Sequence, residues 1–414
     1  MKPNREQELI IACVAGKNGQ EADNAIRKHC SRELNWSAFI QEALEQGVLP
    51  LVYHRLTSVC PDITPAIYLE QLRRHYQLNA LRNFLLSQEM IRLINLFEKK
   101  TIAVIPLKGP FWSEILFGNL ALRQCTDIDL VIQSKDVETA AKILVFLGYQ
   151  PDPKHQLNWE AHYYKPGTPY VVDLHWGFSN LSLRKTRDAT FRFDVNAMWR
   201  RLEKAKFLNE KMNHFQAEDM LMIACQDSVK EFWKNKWPQL KWIYDVSRIV
   251  ELHPKMDWDR INIKAGRLGY QRLLYLSLGL AKRIFDTQLP QPIVQRIDAD
   301  RMAMILIDEA TKRLWKRHSI PNPYKGNQWQ FIARHRFCIR LKERRQDQVA
   351  QVLEIGHMAL DRFRNIAATR NPNLLPKGLH FLYPLNLLIY HMMRPLWHIV
   401  GPHNHNTFRK PSIS

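Results

Sequence analysis

Asp127 and Asp129 flank one isoleucine at the head of a run that is otherwise apolar, Asp127-Ile-Asp-Leu-Val-Ile132. Side chains two apart on a strand share a face. Two close anions on a strand built for burial call for a cation, because an unpaired buried charge is very costly. A divalent metal is the leading candidate, with phosphoryl chemistry as its use. The bland alternative is a strand-edge pair that caps a turn or binds Arg123. The shared face of so apolar a strand argues against it.

Two further segments fit the same chemistry. Upstream, Leu107-Lys108-Gly109 ends a short apolar run and precedes a helix. A glycine there lets phosphate approach the backbone, the helix start offers free N–H groups, and Lys108 adds a point charge. Taken alone, the same residues make a plain strand-to-helix turn. Downstream, Tyr170-Val-Val-Asp-Leu-His-Trp176 puts Asp173 and His175 on one face and Val172, Leu174 and Trp176 on the other. A third carboxylate beside a metal helps to deprotonate an acceptor hydroxyl. His175 reads as a hydrogen-bonded sheet histidine next to the substrate. Arg123 orients the aspartates or a phosphate, or forms a structural ion pair. Lys230, Lys234 and Lys241 are either phosphate contacts or surface lysines of amphipathic helices.

Positioning these residues takes a few strands between helical regions. Apolar spacing predicts helices over 5–15, 20–30, 36–46, 64–80 and 81–97, with Pro50 and the Pro61–Pro65 region as punctuation. Strands are expected at 102–105, 127–132, 159–165 and 169–176, with helices at 111–117 and 137–147 among them. From about 215 the helical pattern returns over 217–234, 238–252, 257–269 and 270–286, and Pro290 and Pro292 mark a boundary.

The set Leu107-Lys-Gly…Arg123…Asp127-Ile-Asp-Leu-Val, then Val172-Asp-Leu-His-Trp176, resembles the uncharacterised bacterial nucleotidyltransferase family of the DNA-polymerase-β-like nucleotidyltransferase superfamily. The likeness covers about residues 5–290. It includes the lead-in Gln46-Gly-Val-Leu-Pro-Leu-Val-Tyr53 and the later Leu240-Lys-Trp-Ile-Tyr-Asp245. It implies an α+β fold with a small mixed sheet flanked by helical N-terminal and C-terminal regions. Together with the pattern along the chain, this divides it into a helical region over 1–100, a catalytic domain over 101–200, a helical domain over 201–290 and, beyond the likeness, a basic, partly helical region over 291–414. It further implies two Mg²⁺ ions and transfer of a nucleoside monophosphate from an NTP to an acceptor, with release of pyrophosphate. On the matched positions, Asp127, Asp129 and Asp173 would be the catalytic and metal-binding carboxylates and Gly109 would hold the triphosphate, with Lys108, Arg123 and Lys230 as the candidate nucleotide contacts beside it. Lys108-Gly109 stands where most of the superfamily has Gly-Ser, and Gln226 stands where a histidine is usual. The acceptor is left open among a small molecule such as an antibiotic, a cell-envelope sugar, and a peptide or protein.

Charge separates this site from the rest of the chain. The net charge is +20, yet residues 311–414 hold 18 Lys and Arg against 4 Asp and Glu, which leaves only +6 for the first 310. The basic region is either a solvated helical face or a contact surface for nucleic acid or anionic membrane. On the second reading the protein is a non-catalytic binder that keeps the fold. Gly378 to Met393 carries no charged side chain, but sixteen residues fall short of a span. Six scattered cysteines and an N-terminus without an apolar leader read as reduced thiols in a cytoplasmic chain, with a peripheral place at the membrane left open.

Overall fold

The computed structural model describes residues 3–15, 19–156, 159–178, 195–233, 239–315 and 336–353. Five helices open the chain: α1 (Arg5–Val14), α2 (Gln20–Cys30), α3 (Trp36–Glu45), α4 (Leu49–Val59) and α5 (Ala66–Lys99). Asn4 caps α1 in a capping box with Gln7, and Asn35 caps α3. Pro50 does not break the chain here. It lies in the first turn of α4, where no amide hydrogen is needed. The two helices expected over 64–97 are one 34-residue helix. Its central asparagines, Asn79 and Asn83, do not compete for its own backbone. Their side-chain amides donate to the carbonyls of Leu120, Ala121 and Arg123.

A sheet then forms from β1 (Val104–Pro106), β2 (Ile128–Ile132), β3 (Gln150–Gln156), β4 (Glu160–Tyr164) and β5 (Val171–His175), with α6 (Gly109–Phe117) and α7 (Val137–Phe146) between the strands. The strand order is β1-β2-β5-β4-β3. Only β2 and β5 run parallel, and the other pairings are antiparallel, so the sheet is mixed. Every residue of β2 is buried, as its unbroken apolar run requires between two neighbours. Sequence reasoning passed over β3 because of Pro151 and Pro153. It is an edge strand with an irregular register, which is where a sheet tolerates proline.

The chain continues through α8 (Val195–Trp199) and a hairpin of β6 (Glu203–Phe207) and β7 (Glu210–His214) that the sequence reading also missed. Its exposed residues are charged apart from Asn213, and only Phe207 and Met212 are buried, so its apolar alternation is thin. The helices α9 (Ala217–Trp233), α10 (Leu240–Leu252), α11 (Trp258–Leu268), α12 (Gln271–Phe285), α13 (Gln291–Ala299) and α14 (Arg301–Leu314) follow. The first four match their expected spans to within a residue or two. One continuous core of buried side chains runs from Leu9 to Leu341. Among the described residues no helix is long and apolar enough to cross a membrane. The apolar stretch 378–393 and most of the basic region 311–414 lie outside the described residues.

Two glycines near the site separate backbone strain from close packing. Gly109 and Gly118 both adopt positive φ, +51° and +64°. A Cβ on Gly109 would sit 2.9 Å from the carbonyl oxygen of Asp127, whereas one on Gly118 would meet nothing within 4 Å. Gly118→Ala should therefore cost only the left-handed backbone term, about 1–2 kcal/mol. Gly109→Ala should cost more and also move Asp127. Thermal denaturation of the two variants checks this, and equal losses would refute it.

Candidate active site

The parallel pairing of β2 with β5 sets Asp129 opposite Asp173 and Val131 opposite His175. The antiparallel pairing of β5 with β4 sets His162 opposite Asp173 and Glu160 opposite His175. Backbone register alone thus brings Asp129, Asp173, His175, His162 and Glu160 to one face of the sheet. Asp127 stands just ahead of β2 and joins them on the wall of a cavity of about 600 Å³.

From across the cavity come Lys108, at the entry to α6, Asp227 and Lys230 on α9, and Lys241 and Trp242 on α10. Lys108 Nζ lies 2.9 Å from Asp227 and 3.7 Å from Asp129. Burial works against its charge, but Asp129 and Asp227 hold its pKa above the usual lysine range. Lys108 is therefore a fixed internal cation that ties α9 to the sheet. Lys241 points its ammonium at the carbonyl of Gln124, 3.4 Å away, and over the ring of Trp242 at 4.2 Å. Burial, with the nearby Arg123, pushes its pKa down. Among the described residues neither Lys230 nor Lys241 has a carboxylate within ion-pair distance.

The lead-in 46–53 finds its purpose at Lys241. Gln46 accepts from the amide of Leu240 through its side chain and from the amide of Lys241 through its carbonyl, at 3.0 and 3.2 Å. Gly47 lies against the aliphatic stem of Lys241, where a Cβ would come within 3.1 Å. The N-terminal helices thereby fix where α10 starts and where its lysine points.

The carboxylates experience different fields. Burial and the neighbouring Asp129 and Asp173 raise Asp127 to about 6. Asp129 is also penalised by burial, but Lys108 and His175 overcome that and hold it well below the usual carboxylate range. His175 Nε2 is 3.0 Å from Asp129 Oδ1, and its Nδ1 is 3.4 Å from Glu160. Although burial opposes a charged imidazole, these two carboxylates raise His175 to about 9. The carboxylates of Asp173, at 2.9 Å, and Glu160, at 3.8 Å, raise His162 to about 10.

Three carboxylates converging on one cavity, against which the protein sets its own cations, are oxygen donors of the kind a divalent ion takes. Among the described residues, the donor atoms that all lie within 4.8 Å of one another belong to Asp129, Asp173 and His175. Asp127 lines the same cavity outside that tight group.

Other expectations land differently. Arg123 lines the cavity, but its fork is taken by the buried Asp245 at 2.9–3.0 Å, which is the structural ion pair among its readings. Gly109 is absent from the cavity wall, and its close neighbour is the backbone of Asp127. Gln226 turns away and accepts from the hydroxyl of Tyr270 at 2.7 Å. Lys234 lies outside the described residues. Sequence reasoning missed Glu160, His162 and Asp227. The first two alternate with apolar residues, as on any half-exposed strand, and Asp227 looks like one polar residue on a helix.

A family model described as uncharacterised nucleotidyltransferase matches residues 32–286. No curated protein matches the chain. Among solved structures, the lincosamide antibiotic adenylyltransferase LnuA, with lincomycin bound, is 15% identical over 39% of this chain and 94% of its own, with a TM-score of 0.29. A likeness that slight carries no argument about the site.

Proposed function

The chain belongs to the uncharacterised nucleotidyltransferase family, and from that membership we propose that it transfers a nucleoside monophosphate from an NTP to an acceptor hydroxyl, with release of pyrophosphate. The observation that carries this reading is the meeting of Asp127, Asp129 and Asp173 in one cavity that Lys230 and Lys241 face from two helices. Asp127, Asp129 and Asp173 would hold divalent ions, two Mg²⁺ on this reading. Such ions, when bound, stabilise charge on the attacking and leaving oxygens.

The protein's own groups divide the remaining work. Lys230 and Lys241 bind the phosphates, being the cavity lysines that have no carboxylate at ion-pair distance among the described residues. Lys108, held between Asp129 and Asp227, keeps the wall between sheet and α9 in place and lends a fixed positive charge. Asp173, steadied by His162, draws the proton from the acceptor. The acceptor oxygen then bonds to the α-phosphorus, the bond to the bridging oxygen breaks, and that oxygen leaves with pyrophosphate. Gly109 is assigned to the turn that seats Asp127, and Arg123 to support of the cavity floor. The acceptor belongs to the classes already named: small molecule, sugar or peptide.

The test supplies each NTP with Mg²⁺ and a cognate cell extract and follows pyrophosphate release. Release that is unchanged in Asp127→Ala and Asp129→Ala would overturn the assignment. In the same assay Lys241→Met should raise KM for the NTP about 10–100-fold, the worth of a charge-assisted hydrogen bond, with a smaller effect on kcat. An unchanged KM would remove Lys241 from the phosphate site.

A further inference from the structure

We propose that His175 is a metal ligand, so that one ion of this site is held by a mixed nitrogen and oxygen set of His175, Asp129 and Asp173, with Glu160 as the carboxylate behind the imidazole. The inference rests on the metal-dependent reading above and deepens it. It departs from the all-carboxylate set that the motif suggests and from the reading of His175 as an ordinary sheet histidine.

Geometry carries it. Two ligand atoms at right angles around an ion, each roughly 2.1 Å from it, lie about 3 Å apart. His175 Nε2 and Asp129 Oδ1 are 3.0 Å apart, and Asp173 brings an oxygen within 4.8 Å of both. The far side of the ring is also arranged for ligation. Nδ1 faces Glu160 Oε2 at 3.4 Å. A ligating histidine characteristically donates its other N–H to a carboxylate, which fixes the tautomer, and the proton that Nε2 shares with Asp129 in the metal-free site would give way to the ion. Glu160 is buried and sits opposite His175 in the β4–β5 register, so this partner is built into the backbone pairing. Its second oxygen lies 3.8 Å from His162 Nε2, and His162 in turn holds Asp173. One carboxylate thus steadies the surroundings of both sides of the set.

An imidazole donor changes the preferred ion. All-oxygen sites suit Mg²⁺, whereas nitrogen ligation shifts preference toward first-row transition ions. The wild-type protein is expected to bind Mn²⁺ more tightly than Mg²⁺, and His175→Gln should narrow the gap.

The deciding experiment is pulsed electron paramagnetic resonance of Mn²⁺ bound to the full chain with any affinity tag removed. Wild type should show ¹⁴N coupling from a directly bound nitrogen. His175→Gln should lose the coupling while still binding Mn²⁺ through its carboxylates, and His162→Gln should keep it. Glu160→Gln should keep the coupling and weaken Mn²⁺ binding about 10–100-fold. Bound Mn²⁺ without ¹⁴N coupling in wild type, or coupling that survives in His175→Gln, overturns the ligand assignment. In that case, loss of Mn²⁺ in Asp129→Asn would leave the carboxylate reading standing. Failure of wild type to bind Mn²⁺ at all, with or without an NTP, overturns both.

Discussion

Asp129→Asn is expected to reduce kcat for nucleotidyl transfer about 10³-fold or more, because a ligand to a charge-stabilising ion is worth several kcal/mol in the transition state. Asp129 is the best single test because every part of the site converges on it. It lies within the fully buried β2, opposite Asp173, with His175 at 3.0 Å and Lys108 at 3.7 Å. Asparagine keeps the shape and removes only the charge. The neighbours keep other partners, since Lys108 retains Asp227 and His175 retains Glu160. The variant should therefore fold, with a circular dichroism spectrum like that of wild type. Binding of the divalent ion, measured by calorimetry, should fall with kcat. A folded Asp129→Asn variant whose kcat stays within about tenfold of wild type would show that the strand carboxylates do not carry the reaction.

What could be read beforehand follows from the range of each interaction. The i, i+2 carboxylates of 127–129 and the Asp173/His175 alternation are local facts, visible because strand periodicity fixes which face each side chain takes. The helices α9 to α12 were equally local, through their apolar spacing. The same local reading hid Glu160 and His162. Their position depends on β4 pairing antiparallel with β5 in one particular register, and a one-residue slip would turn them to the other face. Asp227 and Lys241 are polar residues on helices until α9 and α10 are packed on the sheet. Pro151 and Pro153 concealed β3 because proline counts against a strand except at an edge, and edges are defined only once the sheet is assembled. Arg123 could not be assigned for the same reason, since its partner lies 122 residues further along the chain.

That partner defines the largest effect expected on stability. Arg123→Leu should lower stability by about 3–5 kcal/mol, the usual cost of removing one member of a buried ion pair. Arg123 is 3% exposed and Asp245 1%, and the two meet through Nε–Oδ1 and Nη2–Oδ2 contacts of 3.0 and 2.9 Å. The guanidinium also lies over the rings of Trp112 and Trp242, at 6.0 and 5.4 Å. With leucine in its place Asp245 has, among the described residues, no other cation at ion-pair distance, and a buried carboxylate is left to be protonated or exposed. The pairing also matters for the site. The backbone carbonyl of Arg123 takes the side chains of Asn79 and Asn83, so one residue links α5, the segment leading to Asp127, and α10. The double variant Arg123→Leu/Asp245→Leu should recover much of the loss, because no unpaired charge remains. It should nonetheless transfer poorly, since leucines cannot reproduce the fork that sets α10, and with it Lys241, against the sheet. Urea denaturation midpoints read the first effect, and KM for the NTP reads the second. If the double variant is as unstable as the single one, the loss comes from packing rather than from an abandoned charge. If it regains both stability and KM, the pair has no part in positioning Lys241.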